Sequence, residues 1–168
     1  MIKIIGILCL LVGFCGVSIE KIKEEKEQIK ALEGIRNFAE YLIKEIEYSH
    51  IPIPDICKEY RSKADGNFRE FLGQVCIKFE KDGGRGFEQI WNKEAKDYFG
   101  FKEEKMWLMN LGQCFGFTNV GHQLASVRRY LHEIEKRILY NEKKFQDNKK
   151  LILYFGVMSG LLLSIILL

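Results

Sequence analysis

The sequence has few of the residues that interrupt helices or build cross-linked and metal-binding sites. Pro52 and Pro54 are its only prolines, so most of the chain lacks the residue that most strongly breaks a helix. Its five cysteines are an odd number, and no two of them are spaced as C-x-x-C. This pattern argues against a disulfide framework and against a zinc site of four cysteines.

The sequence also lacks a large excess of charge of either sign. The chain carries 26 Lys and Arg against 23 Asp and Glu, which gives a formal net charge of +3. Nucleic-acid binding needs a concentrated basic face, whereas here lysine and glutamate alternate at helical spacing. We therefore predict no nucleic-acid partner.

Motifs that carry chemistry are scarce. The three histidines, His50, His122 and His132, have no metal-ligand spacing, and the chain contains no G-x-S-x-G. Residues 83–86, GGRG, are rich in glycine but do not match a phosphate-binding loop, so they favour a turn between helices. We predict no catalytic, cofactor-binding or metal-binding residue and no enzymatic activity. A small membrane-bound enzyme or sensor that uses this loop is the weaker alternative.

Two long uncharged runs stand at the ends of the chain. Residues 151–168 would form a helix of about 27 Å, close to the roughly 30 Å hydrocarbon core of a bilayer. Residues 4–19 form a shorter run that lacks the small residues of a signal-peptide cleavage site, which favours a retained helix. We predict transmembrane helices at 1–19 and 151–168, which enclose a helical domain at 20–150.

Lysines at the inner borders of these two runs predict the orientation. Cytoplasmic segments next to membrane spans carry an excess of basic residues. The lysines in question are Lys21, Lys23, Lys26, Lys30, Lys143, Lys144, Lys149 and Lys150. We predict a protein of the cell membrane with two spans and a cytoplasmic central domain.

The C-terminal run contains small residues on one helix face. Gly156 and Gly160 lie one turn apart, with Ser159 beside them. A small-xxx-small pattern allows two membrane helices to approach closely, so these three residues are candidates for helix packing and assembly. Glycine is also common in membrane spans, and this ordinary explanation has about equal weight.

Between the two runs, apolar residues recur every three or four positions. Such periodicity is typical of amphipathic helices, and we find no convincing alternating strand. The helices are predicted at about 21–49, 54–63, 67–81, 87–99, 102–115 and from 120 onward. Asn67 is expected to cap the third, Gly116 to end the fifth in a left-handed conformation, and Thr118 or Asn119 to cap the last. The fold class is all-α: an antiparallel bundle of about six helices whose first and last members continue into the transmembrane spans.

Three stretches carry a resemblance to a known family. The first stretch is LIKEIEYSHIPIPDI, 42–56, which resembles a family pattern of E-I-x-Y followed by a Pro-Leu pair. Four of its residues match the pattern: Glu45, Ile46, Tyr48 and Pro52. Ile53 replaces the leucine. In LGQCFGFTNVGHQ, 111–123, four residues match G-Q-x-L-G-x-x-D-x-x-x-Q: Gly112, Gln113, Gly116 and Gln123. Phe115 replaces the leucine of that pattern and Asn119 its aspartate, and the third stretch is GVMSGLL, 156–162.

Through the order and spacing of these three stretches, the chain resembles the stage III sporulation protein AB family of endospore-forming bacteria. The resemblance implies a structural platform component of the secretion-like complex that links mother cell and forespore. Its helical domain would be similar to the cytoplasmic domains of type II secretion and type IV pilus platform proteins. The implied partners are a secretion-type ATPase and membrane components of the channel, and homo-oligomerisation is left open.

The resemblance also marks one candidate structural turn. It comprises Gly112, Gln113, Gly116, Asn119 and Gln123. We expect these residues to shape the connection between the last two helices and not to act on a substrate. A membrane-anchored helical adaptor without an ATPase partner is the alternative function that the residues leave open.

Overall fold

A computed structural model describes the backbone of residues 2–49, 51–116 and 119–167. Side chains are described for 20–49, 51–116, 119–151, Tyr154 and Met158. The helices are α1 (Ile2–Lys44), α2 (Ile53–Tyr60), α3 (Gly66–Lys81), α4 (Phe87–Asp97), α5 (Lys102–Gln113) and α6 (Val120–Leu167), and a π-helical turn, Glu45–Ser49, follows α1. Over these ranges no strand occurs, so the prediction of an all-α chain with about six helices is confirmed.

The predicted localisation in the cell membrane, with two spans at 1–19 and 151–168, is wrong. Among the residues that the structure describes, no helix combines the length and the apolar character that crossing a membrane requires. Lysine and glutamate recur along the described side chains of α1 and α6, and charged groups are costly in hydrocarbon. The side chains of 1–19 and most of those of 152–168 lie outside the described set.

The chain divides into two units. The core unit is Lys30–Ile138, and the terminal unit joins Met1–Ile29 to Leu139–Leu168. Within the terminal unit, the side-chain amide of Asn148 donates a hydrogen bond of 3.1 Å to Oε1 of Glu25. The predicted domain limits, 1–19, 20–150 and 151–168, stay a prediction.

Proline and glycine place the short helices of the core unit. Pro52 precedes α2 and Pro54 lies in its first turn, where a proline ring fits because no backbone N–H is needed. Gly83, Gly84 and Gly86 have positive φ angles, which glycine adopts without strain, and they turn the chain between α3 and α4. Successive helices then contact each other in chain order: α2 with α3, α3 with α4, and α4 with α5.

One face of α1 forms the first layer of the core. Its buried residues recur every three or four positions, as a helix facing a core requires. They are Leu32, Ile35, Phe38, Ala39 and Leu42, each with no exposed surface. Burying one large apolar side chain contributes about 1.5–3 kcal/mol to folding, so this face is a major source of the unit's stability.

Trp91 lies at the centre of the core unit and is 0% exposed. Its ring stacks on that of Phe38 at 5.9 Å and meets the edges of Phe71 at 4.8 Å and Phe115 at 4.9 Å. The indole N–H donates a hydrogen bond of 2.7 Å to the carbonyl of Leu108, so its polar atom is satisfied inside the core. Such aromatic pairs add about 0.5–1.5 kcal/mol each beyond their buried area. Trp91 therefore joins α1, α3, α4 and the end of α5.

The N-terminal part of α6 closes the core unit. Tyr130 packs against Trp107 with ring centroids 5.6 Å apart, and its hydroxyl donates to the Trp107 carbonyl at 3.0 Å. Arg128 pairs with Glu47 at 2.7 Å. The start of α6 therefore lies beside the end of α1 and its π-helical turn, as expected for an antiparallel pair.

Candidate interaction surface

The predicted turn between α5 and α6 is packed against α4 through its glycines. A Cβ atom on Gly112 would lie 2.5 Å from Cδ1 of Trp91, and one on Gly116 would lie 2.5 Å from Oε2 of Glu88. Gly116 is not among the glycines with positive φ, so its predicted left-handed cap is wrong. The reason is that α5 ends earlier, at Gln113, and short turns involving Cys114 and Phe115 follow it. At Gly112 the Trp91 ring leaves room only for glycine, whereas at Gly116 only the end of the Glu88 side chain comes close.

Asn119 ends the same turn by capping α6. Its Oδ1 accepts hydrogen bonds from the backbone N–H groups of Gly121, at 2.8 Å, and His122, at 3.2 Å. These groups belong to the first turn of the helix, which lacks intrahelical partners. The cap needs an oxygen acceptor and not a charge, so asparagine can replace the aspartate of the resembled pattern here. Gln113 is exposed and Gln123 half-buried.

The other predicted assembly residues cannot be placed. The surroundings of Gly156, Ser159 and Gly160 lie outside what the structure describes. Their role in helix packing stays a prediction.

The loop between α4 and α5 presents an exposed aromatic side chain from a fixed backbone. Phe99 is 93% exposed, although its neighbour Tyr98 is buried. The Asn67 side-chain amide donates a hydrogen bond of 2.8 Å to the carbonyl of Phe99. The next residue, Gly100, has no room for a Cβ atom because the ring of Tyr98 and the carboxylate of Glu104 occupy that space. Phe99 is therefore held outward by contacts on both sides of its backbone.

Glu104 secures this loop from inside the protein. It is 3% exposed, and its two oxygens accept hydrogen bonds from the Tyr98 hydroxyl at 2.6 Å and from the Phe101 backbone N–H at 3.3 Å. Burial raises the pKa of Glu104, and the two hydrogen bonds oppose that rise. Burial also raises the pKa of Tyr98, with the Glu104 hydrogen bond as the next cause.

A groove of about 430 Å³ runs from this loop along the outer face of α3. Phe99 of the loop lines the groove together with Asn67 and Glu70 of α3. Ile77, which is 41% exposed, lines it three turns further along α3. The groove thus has an apolar side chain of α3 and one of the loop, with polar residues between them.

The groove contains both paired and unpaired charges. The Glu94 carboxylate is bound by Lys78 at 2.5 Å, and Arg61 lies over the buried Gly73, where a Cβ atom would be 3.0 Å from Cζ of the guanidinium. Glu70 and Asp97 also line the groove, are exposed, and make no ion pair with another described residue. Two carboxylates, and the Arg61 guanidinium beside Gly73, are therefore available to a ligand or partner.

Sequence reasoning missed the residues that make this surface. Asn67 was expected to cap α3, but Asp65 occupies that position and Asn67 reaches the loop instead. The helix predicted at 87–99 ends at Asp97, which leaves Phe99 outside it. Gly100, in the sequence YFG, correctly marks a break, but the helix ends two residues before Phe99.

Gly83, Gly84 and Gly86, with their positive φ angles, give the loop at 83–86 the geometry of a turn. Within the described ranges, no three His, Cys, Asp or Glu side chains gather as a metal site would require. What the described surface offers is a shape and charge pattern suited to binding.

A family model and a solved structure with the same description are both similar to this chain. A family model described as stage III sporulation protein AB matches residues 3–168. A solved structure described as "Stage III sporulation protein AB (SpoIIIAB)" is similar with a TM-score of 0.63 and 18% identity, covering 71% of this chain and 97% of that one. At this identity the structural likeness shows a shared fold. No curated protein matches the sequence.

Proposed function

The chain belongs to the stage III sporulation protein AB family, and from this premise we propose that it is a structural platform in a sporulation-specific, secretion-like complex. In this role it couples a secretion-type ATPase to other components of the channel between mother cell and forespore. The ATPase follows from the resemblance to secretion and pilus platform proteins. The role requires no cofactor and no reaction on a substrate.

The observation that carries the proposal is the fixed, exposed Phe99. Burying a phenylalanine side chain is worth about 1.5–3 kcal/mol, which an exposed ring does not gain. Here Asn67, Tyr98 and Glu104 hold the backbone of the loop in the conformation that leaves the ring exposed. A partner that covers the ring gains this burial without the cost of ordering the loop. That is the property expected of an assembly surface.

Charged side chains of the core unit support the same role. Several of them join one helix to another: Lys78 of α3 binds Glu94 of α4, and Arg137 of α6 binds Glu103 of α5. These ion pairs add to the packing of Trp91 against α1 and α3, which holds the helices of the core unit together. A platform that passes conformational work from an ATPase needs such a unit.

Two further parts of the proposal concern the predicted assembly and turn residues. Gly156, Ser159 and Gly160 would provide a helix-packing face for another component or a second copy. Gly112, Gln113, Gly116, Asn119 and Gln123 would keep α5 and α6 in fixed register. An adaptor without an ATPase partner is the second candidate, because Phe99 would suit any partner.

Crosslinking mass spectrometry on the full chain in sporulating cells tests the proposal. A lysine-reactive reagent is added at the time of complex assembly, and vegetative cells that express the chain are the control. We expect crosslinks to a secretion-type ATPase and to channel components in sporulating cells alone. Crosslinks to channel components without an ATPase would favour the adaptor. Identical crosslinks in both cell types would contradict a sporulation-specific platform.

A further inference from the structure

The face of α3 that lines the groove has a regular register. Asn67, Glu70, Gln74 and Ile77 follow each other at spacings of three, four and three, so they form one stripe along the helix. From Asn67 to Ile77 the stripe extends about 15 Å at 1.5 Å per residue. Asn67 fixes the backbone of Phe99, so the aromatic ring stands at the N-terminal end of the stripe and Ile77 near its other end.

Charge is distributed unevenly along this stripe. Glu70 is about one helical turn from Asn67, whose side chain binds the Phe99 carbonyl, so it lies at the end of the groove near Phe99. Asp97 is two residues from Phe99 and also lines the groove. Glu94 is already bound by Lys78. The unpaired acidic charge is therefore concentrated beside the exposed aromatic ring.

We propose that this groove docks an amphipathic helix of a partner protein that carries Lys or Arg between two apolar residues. The apolar residues contact Phe99 and Ile77, and the basic residue binds Glu70 and Asp97. The length of the stripe requires the two apolar residues to be roughly seven to eleven positions apart in the partner helix. The inference rests on the proposed function, since it names the chemistry of a partner at the assembly surface.

Charge complementarity selects this occupant over the others. A second copy of the chain would bring the same two unpaired carboxylates with a single guanidinium, that of Arg61, so acidic charge would remain unmatched and like charges would oppose each other. An acidic or phosphorylated segment would be attracted only by Arg61, at Gly73, and repelled by the two carboxylates near Phe99. A basic helix instead turns both carboxylates into charge-assisted hydrogen bonds next to a buried aromatic contact, the combination typical of interface hot spots.

Photo-crosslinking in sporulating cells tests the docking. A photoreactive phenylalanine analogue replaces Phe99 in the full chain, and the crosslinked segment is sequenced by mass spectrometry. The matched control places the analogue at Tyr48, which is 80% exposed, lies in the same unit and does not line the groove. We expect position 99 to capture one partner segment with helical apolar spacing and a Lys or Arg within four residues of the crosslink.

The charges are tested in the same background. Glu70→Lys with Asp97→Lys should lower the crosslink yield from position 99 by about tenfold or more, because attraction becomes repulsion. Asp82→Lys with Glu133→Lys changes the net charge equally at exposed residues outside the groove and should leave the yield unchanged. Urea unfolding of each full-length variant checks that it is folded. Changing the captured Lys or Arg to Glu in the partner should restore the yield for the Glu70→Lys, Asp97→Lys chain.

Several results would overturn the inference. These are no product from position 99, equal capture from position 48, capture of a second copy, of lipid or of an acidic segment, or a yield that ignores the charge reversal. If one of them occurs while lysine crosslinks still reach the ATPase, the docking is wrong and the platform role stands. If position 99 captures a basic helix from a protein outside the complex, the docking stands and the platform role is wrong.

Discussion

The hydroxyl of Tyr98 donates a hydrogen bond of 2.6 Å to Oε1 of Glu104, and both side chains are buried at the loop that exposes Phe99. This bond spans the end of α4 and the first turn of α5. The same carboxylate accepts the backbone N–H of Phe101, so a single side chain secures the loop at two points. The loop's shape therefore depends on this buried acidic residue as well as on Asn67.

Replacing Tyr98 by phenylalanine should remove this bond and keep the ring packed. Because the acceptor is a carboxylate, we expect a loss of about 1.5–3 kcal/mol in the free energy of unfolding at neutral pH. Urea unfolding followed by tryptophan fluorescence measures it, since Trp91 and Trp107 are the only tryptophans and both lie in the core unit. Tyr48→Phe, at an exposed tyrosine, is the control. Equal stability of both variants would argue that the Tyr98 hydroxyl contributes nothing.

The pH dependence of stability should reveal Glu104. Burial raises its pKa in the folded state, so the folded chain binds this proton more tightly than the unfolded chain. The resulting stability is fully present below the unfolded value of about 4.3 and is lost as the pH rises through the folded pKa. Relative to Glu104→Gln, the wild-type chain should lose stability over that window and then level off. A difference that grows with pH would show that the folded-state pKa is lowered instead.

Alanine at Gly112 and at Gly116 should have unequal effects. At Gly112 the new methyl group meets the ring of Trp91, which has no space to move, so we expect a loss of about 1–3 kcal/mol. At Gly116 it meets only the end of the flexible Glu88 side chain, and φ is not positive, so the loss should stay within about 0.5 kcal/mol. Urea midpoints of the two variants provide the comparison. A larger loss at Gly116 would contradict this description of the turn.

Asn119 should be replaceable by aspartate but not by alanine. Alanine removes the oxygen that accepts the N–H groups of Gly121 and His122, at an expected cost of about 0.5–2 kcal/mol. Aspartate keeps the acceptor and adds a negative charge at a helix N-terminus, which should leave stability equal or higher. Thermal unfolding of the two variants beside the wild type tests this. Similar losses for both would mean that the amide nitrogen of Asn119 makes the essential contact.

Local patterning was enough to predict the helices. To predict α1 in the core unit, it is enough to know which positions are apolar, because apolar residues at helical spacing face inward. Leu32, Ile35 and Leu42 have this spacing and are buried. Helix ends were less accurate: α4 ends at Asp97 and α5 at Gln113, each two residues before the predicted limit. Ends depend on capping contacts from other parts of the chain, which a periodic pattern does not contain.

The interaction surface could not be predicted because it arises from contacts between distant residues. Asn67 is a residue type that often caps a helix N-terminus. Only the position of the α4–α5 loop brings the carbonyl of Phe99, 32 residues along the chain, within reach of its side-chain amide. Glu104 belongs to a run of glutamate and lysine that reads as a solvated face, yet the loop covers it. The exposed Phe99 and the charges beside it become a surface only once these two contacts have formed.

Each helix from α2 to α4 contacts the next one along the chain, and this affects the order in which the protein can fold during its synthesis. The rings around Trp91 come from Phe38, Phe71, Phe87 and Phe115, so all of them have been made before α6 begins. Trp107 must wait for Tyr130, its ring and hydroxyl partner. Contacts between nearby segments form quickly, and domains fold from the N-terminal side as they leave the ribosome. Once Phe115 has left the ribosome, and before Tyr130 has, Trp91 would therefore already be buried while Trp107 still lacks its partner.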